Sequence, residues 1–184
     1  MPVRIWGWVP IIVLWGATSA VAQSTPLKEE SYLRGSWRLD LYRDVWTDRR
    51  ELQAHAARPA IVNMRGEAHL AMLCVDRAPQ LVLRWPTQLF IETDRMVVMR
   101  VRQGRSPVAE ARWSGELHDA VSLPFQNLFW RATPADLRRM LSAPNLAVGP
   151  VTPTNVAAVF DLSGAAAAYE DLSNFCATGA LPAR

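Results

Sequence analysis

The sequence predicts a mainly β protein: an antiparallel β-sandwich or curved sheet with a late inserted helix and a C-terminal helix. Three observations predict it. Apolar and polar residues alternate at period two from Trp37 onward, the mark of a half-buried strand. Two apolar blocks are each split by a short polar segment of hairpin length, Asp76-Arg77-Ala78-Pro79 and Gln103-Gly104-Arg105-Ser106-Pro107. Helical spacing of apolar residues is confined to the stretches after Thr133 and after Ser163. Strands followed by helices in this proportion pack as a sheet with helices at one side or end.

Each element has its own local reason. Residues 23–35 are polar, with one proline, and read as a flexible lead-in to a single domain spanning 36–184. Trp37, Leu39 and Leu41 alternate with Arg38, Asp40 and Tyr42 in a first strand, and Leu52, Ala54 and Ala56 continue the pattern more weakly. Residues 58–66, with Pro59 and Gly66, read as a loop. Residues 69–75 and 80–85 form the strongest hairpin, and residues 95–102 and 108–114 form a second in which Gly104 can supply a positive φ. In Thr133-Pro134-Ala135-Asp136, threonine takes the N-cap, proline the first helical position and aspartate the third. Leu137, Met140 and Leu141 give that helix an apolar stripe, which Pro144 stops. Two further strands follow at 145–151 and 155–162. Ser163 is the expected cap of a final helix, in which Ala165, Ala168, Tyr169, Leu172, Phe175 and Cys176 recur at three- and four-residue steps.

Residues 1–22 combine Arg4, an apolar run over 5–15 and Ala20-Val21-Ala22, the three parts of a secretory signal peptide. The run is short for a roughly 20-residue span and is broken by Gly7 and Pro10. Cleavage near Ala22 is expected, leaving a periplasmic protein with no stable membrane span. Export carries the chain to an oxidising compartment, where its two cysteines, Cys74 and Cys176, are expected to pair. Cys74 shares a strand face with Leu70 and Met72, and Cys176 ends the apolar stripe of the last helix. Their bond would pin that helix to the sheet, closing a loop of about 100 residues for about 2–4 kcal/mol of stability.

Charge excludes more than it identifies. The formal net charge is only +3, with 17 acidic residues interleaved among 20 basic ones. No run of like charge and no aromatic–basic pattern suggests nucleic acid as a partner. His55, His69 and His118 show no metal-ligand spacing, and no metal or cofactor is expected. His55 and His69 read as rim or surface residues of strands, whereas His118 falls in a polar loop. No G-x-S-x-G elbow and no C-x-x-C pair occurs, so no residue is assigned as catalytic.

The candidate binding surface is residues 115–129. Glu116, His118 and Asp119 there precede Phe125 and Phe129, and mixed polar and aromatic loops carried by a sheet often serve recognition. Trp113, Phe125, Phe129 and Trp130 also admit a reading as an aromatic face for sugars. Against both stands the plainer reading that these rings fill the core and that Arg131, Arg138 and Arg139 form a solvated face.

The stretch 70–176 resembles the type VI secretion-associated periplasmic (VasI-like) proteins. The strand ending in Cys74 is similar to that family's apolar strand closing on a cysteine. Residues 95–102 with Gly104, Pro107 and Trp113 resemble its strand, turn and tryptophan. Val159-Phe160-Asp161-Leu162-Ser163-Gly164, with Leu172 and Cys176, resembles its phenylalanine–glycine strand end and cysteine-terminated helix. The turn Arg102-Gln103-Gly104-Arg105 departs from the acidic turn usual in the family. The resemblance implies a small exported accessory domain without enzymatic activity or cofactor. The expected function is a non-enzymatic binding domain with an envelope protein partner, with secretion machinery as one candidate setting that the resemblance by itself does not establish. Two alternatives are an inhibitor or immunity protein for an envelope hydrolase and a cell-wall carbohydrate-binding module.

Overall fold

The computed structural model describes residues 26–63, 66–86, 96–117, 126–130 and 133–181, with the side chains of 115–117 and 126–127 excepted. The signal segment expected at 1–22 lies outside them. The chain begins with the hairpin β1 (Leu27–Arg34) and β2 (Trp37–Arg43), followed by β3 (Arg50–His55) and the short β4 (Ala60–Val62). The central strands are β5 (His69–Val75), β6 (Ala78–Trp85), β7 (Met96–Gln103), β8 (Ala109–Leu117) and β9 (Gln126–Trp130). Helix α1 (Pro134–Leu141), β10 (Asn145–Pro150), β11 (Ala157–Asp161) and helix α2 (Ala165–Thr178) complete the chain.

All eleven strands among the described residues join one open sheet in the order β1-β2-β3-β5-β6-β9-β8-β7-β10-β11-β4. Every pairing is antiparallel. The expected mainly β antiparallel fold with an internal and a C-terminal helix is what forms, its strands joined as a single open sheet. Register explains why one face suffices as a core. Leu41 lies opposite Leu52, Ala54 opposite Met72, Met72 opposite Leu81 and Leu83 opposite Leu128. On the far side Val97 lies opposite Trp113, Val101 opposite Val148, and Leu146 opposite Phe160. The period-two apolar residues thus form continuous rows across the sheet, and all of these are buried. Slipping any strand by one residue would turn its whole row outward.

Helix α2 covers this inner face, packing on β3, β5 and β6 and touching α1. Ala165, Ala168, Tyr169, Leu172 and Phe175 are its buried stripe. Curvature also brings the β1–β2 turn onto the entry to α2. Ser36 N–H donates to the Ser163 carbonyl at 2.9 Å. Gly35 and Gly164 face each other there with φ of +59° and +84°, and a Cβ on Gly35 would lie 2.5 Å from the Ser163 carbonyl oxygen. Both the left-handed backbone and the close crossing require glycine.

Several expectations are corrected. The lead-in assigned to 23–35 contains β1, an edge strand whose alternation is hidden by exposed Leu27 and Leu33. The loop assigned to 58–66 contains β4, which pairs with β11. The connection assigned within 115–129 is partly strand: β8 runs to Leu117, and β9 begins at Gln126. Ser163 does not cap α2; its N–H and Oγ both bond to the Asp161 carboxylate, at 2.8 and 2.9 Å, and Gly164 takes the N-cap position.

The expected cap of the first helix holds. Thr133 caps α1, its Oγ1 accepting from Asp136 N–H at 3.2 Å, with Pro134 at the first helical position. The β5–β6 connection, expected over 76–79, is instead a two-residue turn: Asp76 and Arg77 both have positive φ between paired Val75 and Ala78, as type I′ geometry requires, and Ala78 and Pro79 already belong to β6. No helix among the described residues is long and apolar enough to cross a membrane.

Candidate functional site

The expected binding surface lies where β8 runs into β9. His118, Asp119 and Phe125 lie outside the described residues, and Glu116 is placed only by its backbone, opposite Asn127. Phe129 is in β9, opposite Val82 on one side and Ser114 on the other. Strand alternation puts Leu128 in the core, so half-buried Phe129 stands on the outer face. The aromatic platform is corrected at its centre. Trp113 is fully buried and Trp130 packs edge-on against it, ring centroids 4.8 Å apart and planes at 63°. Trp113 is core material with no face left for a sugar, and half-buried Trp130 is packed against it. The warning was in the sequence, since Ala111 and Trp113 alternate with Glu110, Arg112 and Ser114.

Cys74 and Cys176 are joined, with S–S 2.00 Å and Cα atoms 5.6 Å apart, across 102 residues. The last residues of β5 and the last turn of α2 deliver the two sulfurs. Both cysteines are half-buried and border a cavity of about 580 Å³. Arg49 and Arg50 reach it from the β2–β3 turn and the start of β3, and Arg77 from the β5–β6 turn. Asp48 and Asp76 share the lining, but Asp48 is engaged by Arg43 at 3.4 Å. Arg50 is held by Glu29 at 3.1 Å. The sequence foretold the bond but not this opening, because nothing in the spacing brings the turn arginines to the disulfide.

A second concentration of polar groups sits on the outer face of β1 and β2. Asp40 is fully buried between the neighbouring core residues' backbones and its own long-chained partners. It receives Lys28 Nζ at 2.7 Å, Ser31 Oγ at 2.7 Å and Arg38 Nε at 3.0 Å. Burial alone would raise its pKa. The hydrogen bonds from Lys28 and Ser31 and the charges of Arg38 and Lys28 outweigh it and hold the carboxyl below the usual range. His55, paired opposite Arg38, is pushed below the ordinary histidine value mainly by burial, with Asp40 opposing. His69 is exposed at the start of β5, 3.6 Å from Glu67. The lysine, serine and aspartate resemble catalytic residue types, but Ser31 gives its proton to Asp40 and the lysine is spent on the same carboxylate. The arrangement ties β1 to β2.

A third feature, missed in the sequence, is a shallow groove of about 240 Å³ on the outer face of β7, β10, β11 and β4. Small residues Ala147, Gly149 and Ala157 form its floor, and Val62 and Val108, both exposed, stand at its rim. Arg100 is fixed there by donating to the Pro150 and Thr154 carbonyls at 2.8 and 2.7 Å. Among the described residues no group of three or more potential ligands could hold a metal ion. No protein-family model matches the chain, and no curated protein or solved structure is significantly similar to it.

Proposed function

We propose that this protein is an exported accessory or binding domain that works in the periplasm by holding an envelope protein partner, without turnover. The observation that carries the reading is the Cys74–Cys176 bond, which ties sheet to helix across 102 residues and suits an oxidising compartment. The resemblance to VasI-like proteins makes a secretion-machine component the first partner to test. The docking surface on this reading is the β8–β9 end, with Glu116, His118, Asp119, Phe125 and Phe129. Burial of Trp113 favours a protein partner over a sugar.

The test pairs Glu116→Ala with Asp119→Ala and measures capture of partner from envelope extracts. On this reading capture should fall while the thermal transition stays within about 2 °C, the small shift that a change at a docking surface gives. Val108→Asp, in the outer groove, should leave capture intact. Loss of capture from the groove variant alone would move the interface there. Hydrolysis of a cell-wall substrate by the purified protein would overturn the reading.

A further inference from the structure

We propose that the Cys74–Cys176 disulfide is a site of thiol–disulfide exchange, opened through the arginine-lined cavity to a dithiol protein of the C-x-x-C class. A brace needs no access from solvent, whereas exchange with a second protein does. Here both cysteines are half-buried and border a cavity of about 580 Å³. Arg49 and Arg77 line it with Asp48 and Asp76, while the lining Arg50 is paired with Glu29 and Asp48 with Arg43. Positive charge in the lining that the sulfurs share favours a thiolate, the species both attacking and leaving in exchange.

The surroundings also give the reaction a direction. Cys176 lies in the last turn of α2, three residues before the C-cap Gly179. That end of a helix carries the negative pole of its dipole, which disfavours a thiolate at Cys176. Cys74 is at the end of a strand, three residues before Arg77, and is the better leaving group. The incoming thiolate therefore attacks Cys176 Sγ. The Sγ–Sγ bond breaks, its electron pair leaves on Cys74 Sγ, and a mixed disulfide joins the partner to Cys176. The partner's second thiolate then attacks its own sulfur of that bond and expels the Cys176 thiolate, which takes a proton from water. The partner dithiol is oxidised by two electrons, and the Cys74–Cys176 pair is reduced.

Reduction need not unfold the domain. Leu172 is fully buried and Phe175 nearly so, and the crossing of Gly35 and Gly164 holds the other end of α2. The bond can be cut while the helix stays seated.

The oxidised protein is incubated with dithiothreitol in the absence of denaturant, and alkylated thiols are counted by mass. Two thiols should appear while the near-ultraviolet circular dichroism is retained. Arg49→Gln combined with Arg77→Gln should slow this reduction about threefold or more at an unchanged thermal midpoint, as loss of thiolate stabilisation implies. A thioredoxin-like protein lacking its second active-site cysteine should be trapped on Cys176. Reduction only at the rate of global unfolding would overturn the proposal, as would an arginine double variant reduced at the parent rate. Trapping on Cys74 would overturn the direction of attack.

Discussion

The two ends of α2 are held by different chemistry. The C-terminal end is fixed by one covalent bond to β5, bordering an open cavity. The N-terminal end is fixed by close backbone contact, Gly35 against Gly164 and Ser36 N–H on the Ser163 carbonyl. Arg34 adds an ion pair to Asp171 at 2.7 Å. Tyr32, on the same strand, has its hydroxyl pushed up to about 12, chiefly by burial and then by the Asp171 charge. A covalent tie tolerates an open, polar surround, because it does not depend on excluding water. A backbone crossing tolerates no added atom. The difference teaches where this fold can be cut reversibly and where it cannot.

The largest effect should come from what both ends serve. Leu172, fully buried between them, should cost about 3–5 kcal/mol on change to alanine, from lost burial and the cavity left behind. Urea denaturation measures it. A loss under about 1 kcal/mol would mean that α2 is not seated on the inner face, and the comparison of its ends would lose its basis.

Next come the ends themselves. Gly164→Ala places a Cβ against the Arg34 carbonyl with φ at +84°, and should cost about 2–3 kcal/mol. Replacing both cysteines with serine should cost about 2–4 kcal/mol, less than the roughly 4–5 kcal/mol that chain entropy alone gives for a loop of this length. The kinds of loss should differ. The serine pair should keep the native near-ultraviolet spectrum below its midpoint, while Gly164→Ala should alter proteolysis between β1 and β2. A cysteine-free protein nicked at the β1–β2 turn would reverse the assignment of the two anchors.

How much of this was legible depends on where each residue's partner lies. The strand His69–Val75 and the Thr133 cap were readable because their determinants are contiguous: an apolar run, a turn, a cap with its proline. Strands β1 and β4 were not, because at the two ends of the sheet order they need bury little of their own side chains. Their existence rests on pairing with β2 and β11, which no local pattern encodes. Ser163 misled because a serine before a helix ordinarily caps it, whereas here Asp161 claims both its polar groups and the crossing demands glycine next. The disulfide was readable from the cysteine count together with the expected export. The arginines around it come from two turns distant in sequence, so the cavity was not.

Acid should distinguish the two ends without any substitution. Asp40 ties β1 to β2 through Lys28 and Ser31, and its pKa is lowered in the fold. A carboxyl with a lowered folded pKa contributes stability that is present above its unfolded value, about 4, and lost as pH falls through the folded value. His55 acts at higher pH in the same sense. Its lowered pKa means that the unfolded chain binds its proton first, so stability declines as pH falls below about 6.5. Asp40→Asn should flatten the acid limb of stability against pH, and His55→Gln the limb nearer neutrality. Hydrogen exchange below pH 4 should quicken in β1 and β2 before the disulfide end of α2. Simultaneous loss at both ends would show that the two anchors are one cooperative unit.

The smallest effect is expected where α1 meets α2. Arg138 Nε lies 3.0 Å from Glu170, and its guanidinium sits 5.3 Å from the centre of the Tyr169 ring. Arg139 pairs with Asp136 within α1, at 2.6 Å. Both arginine side chains are more than half exposed, so water and salt weaken the pairs and alanine should cost less than about 0.5 kcal/mol at either position. Their difference is the useful quantity. Only Arg138 reaches across to α2, so Arg138→Ala should cost more than Arg139→Ala and its cost should shrink less in high salt, since contact with the ring face survives screening. Equal costs at low and high salt would mean that α1 adds no third tie, leaving the glycine crossing and the β1 ion pair to hold the N-terminal end of α2.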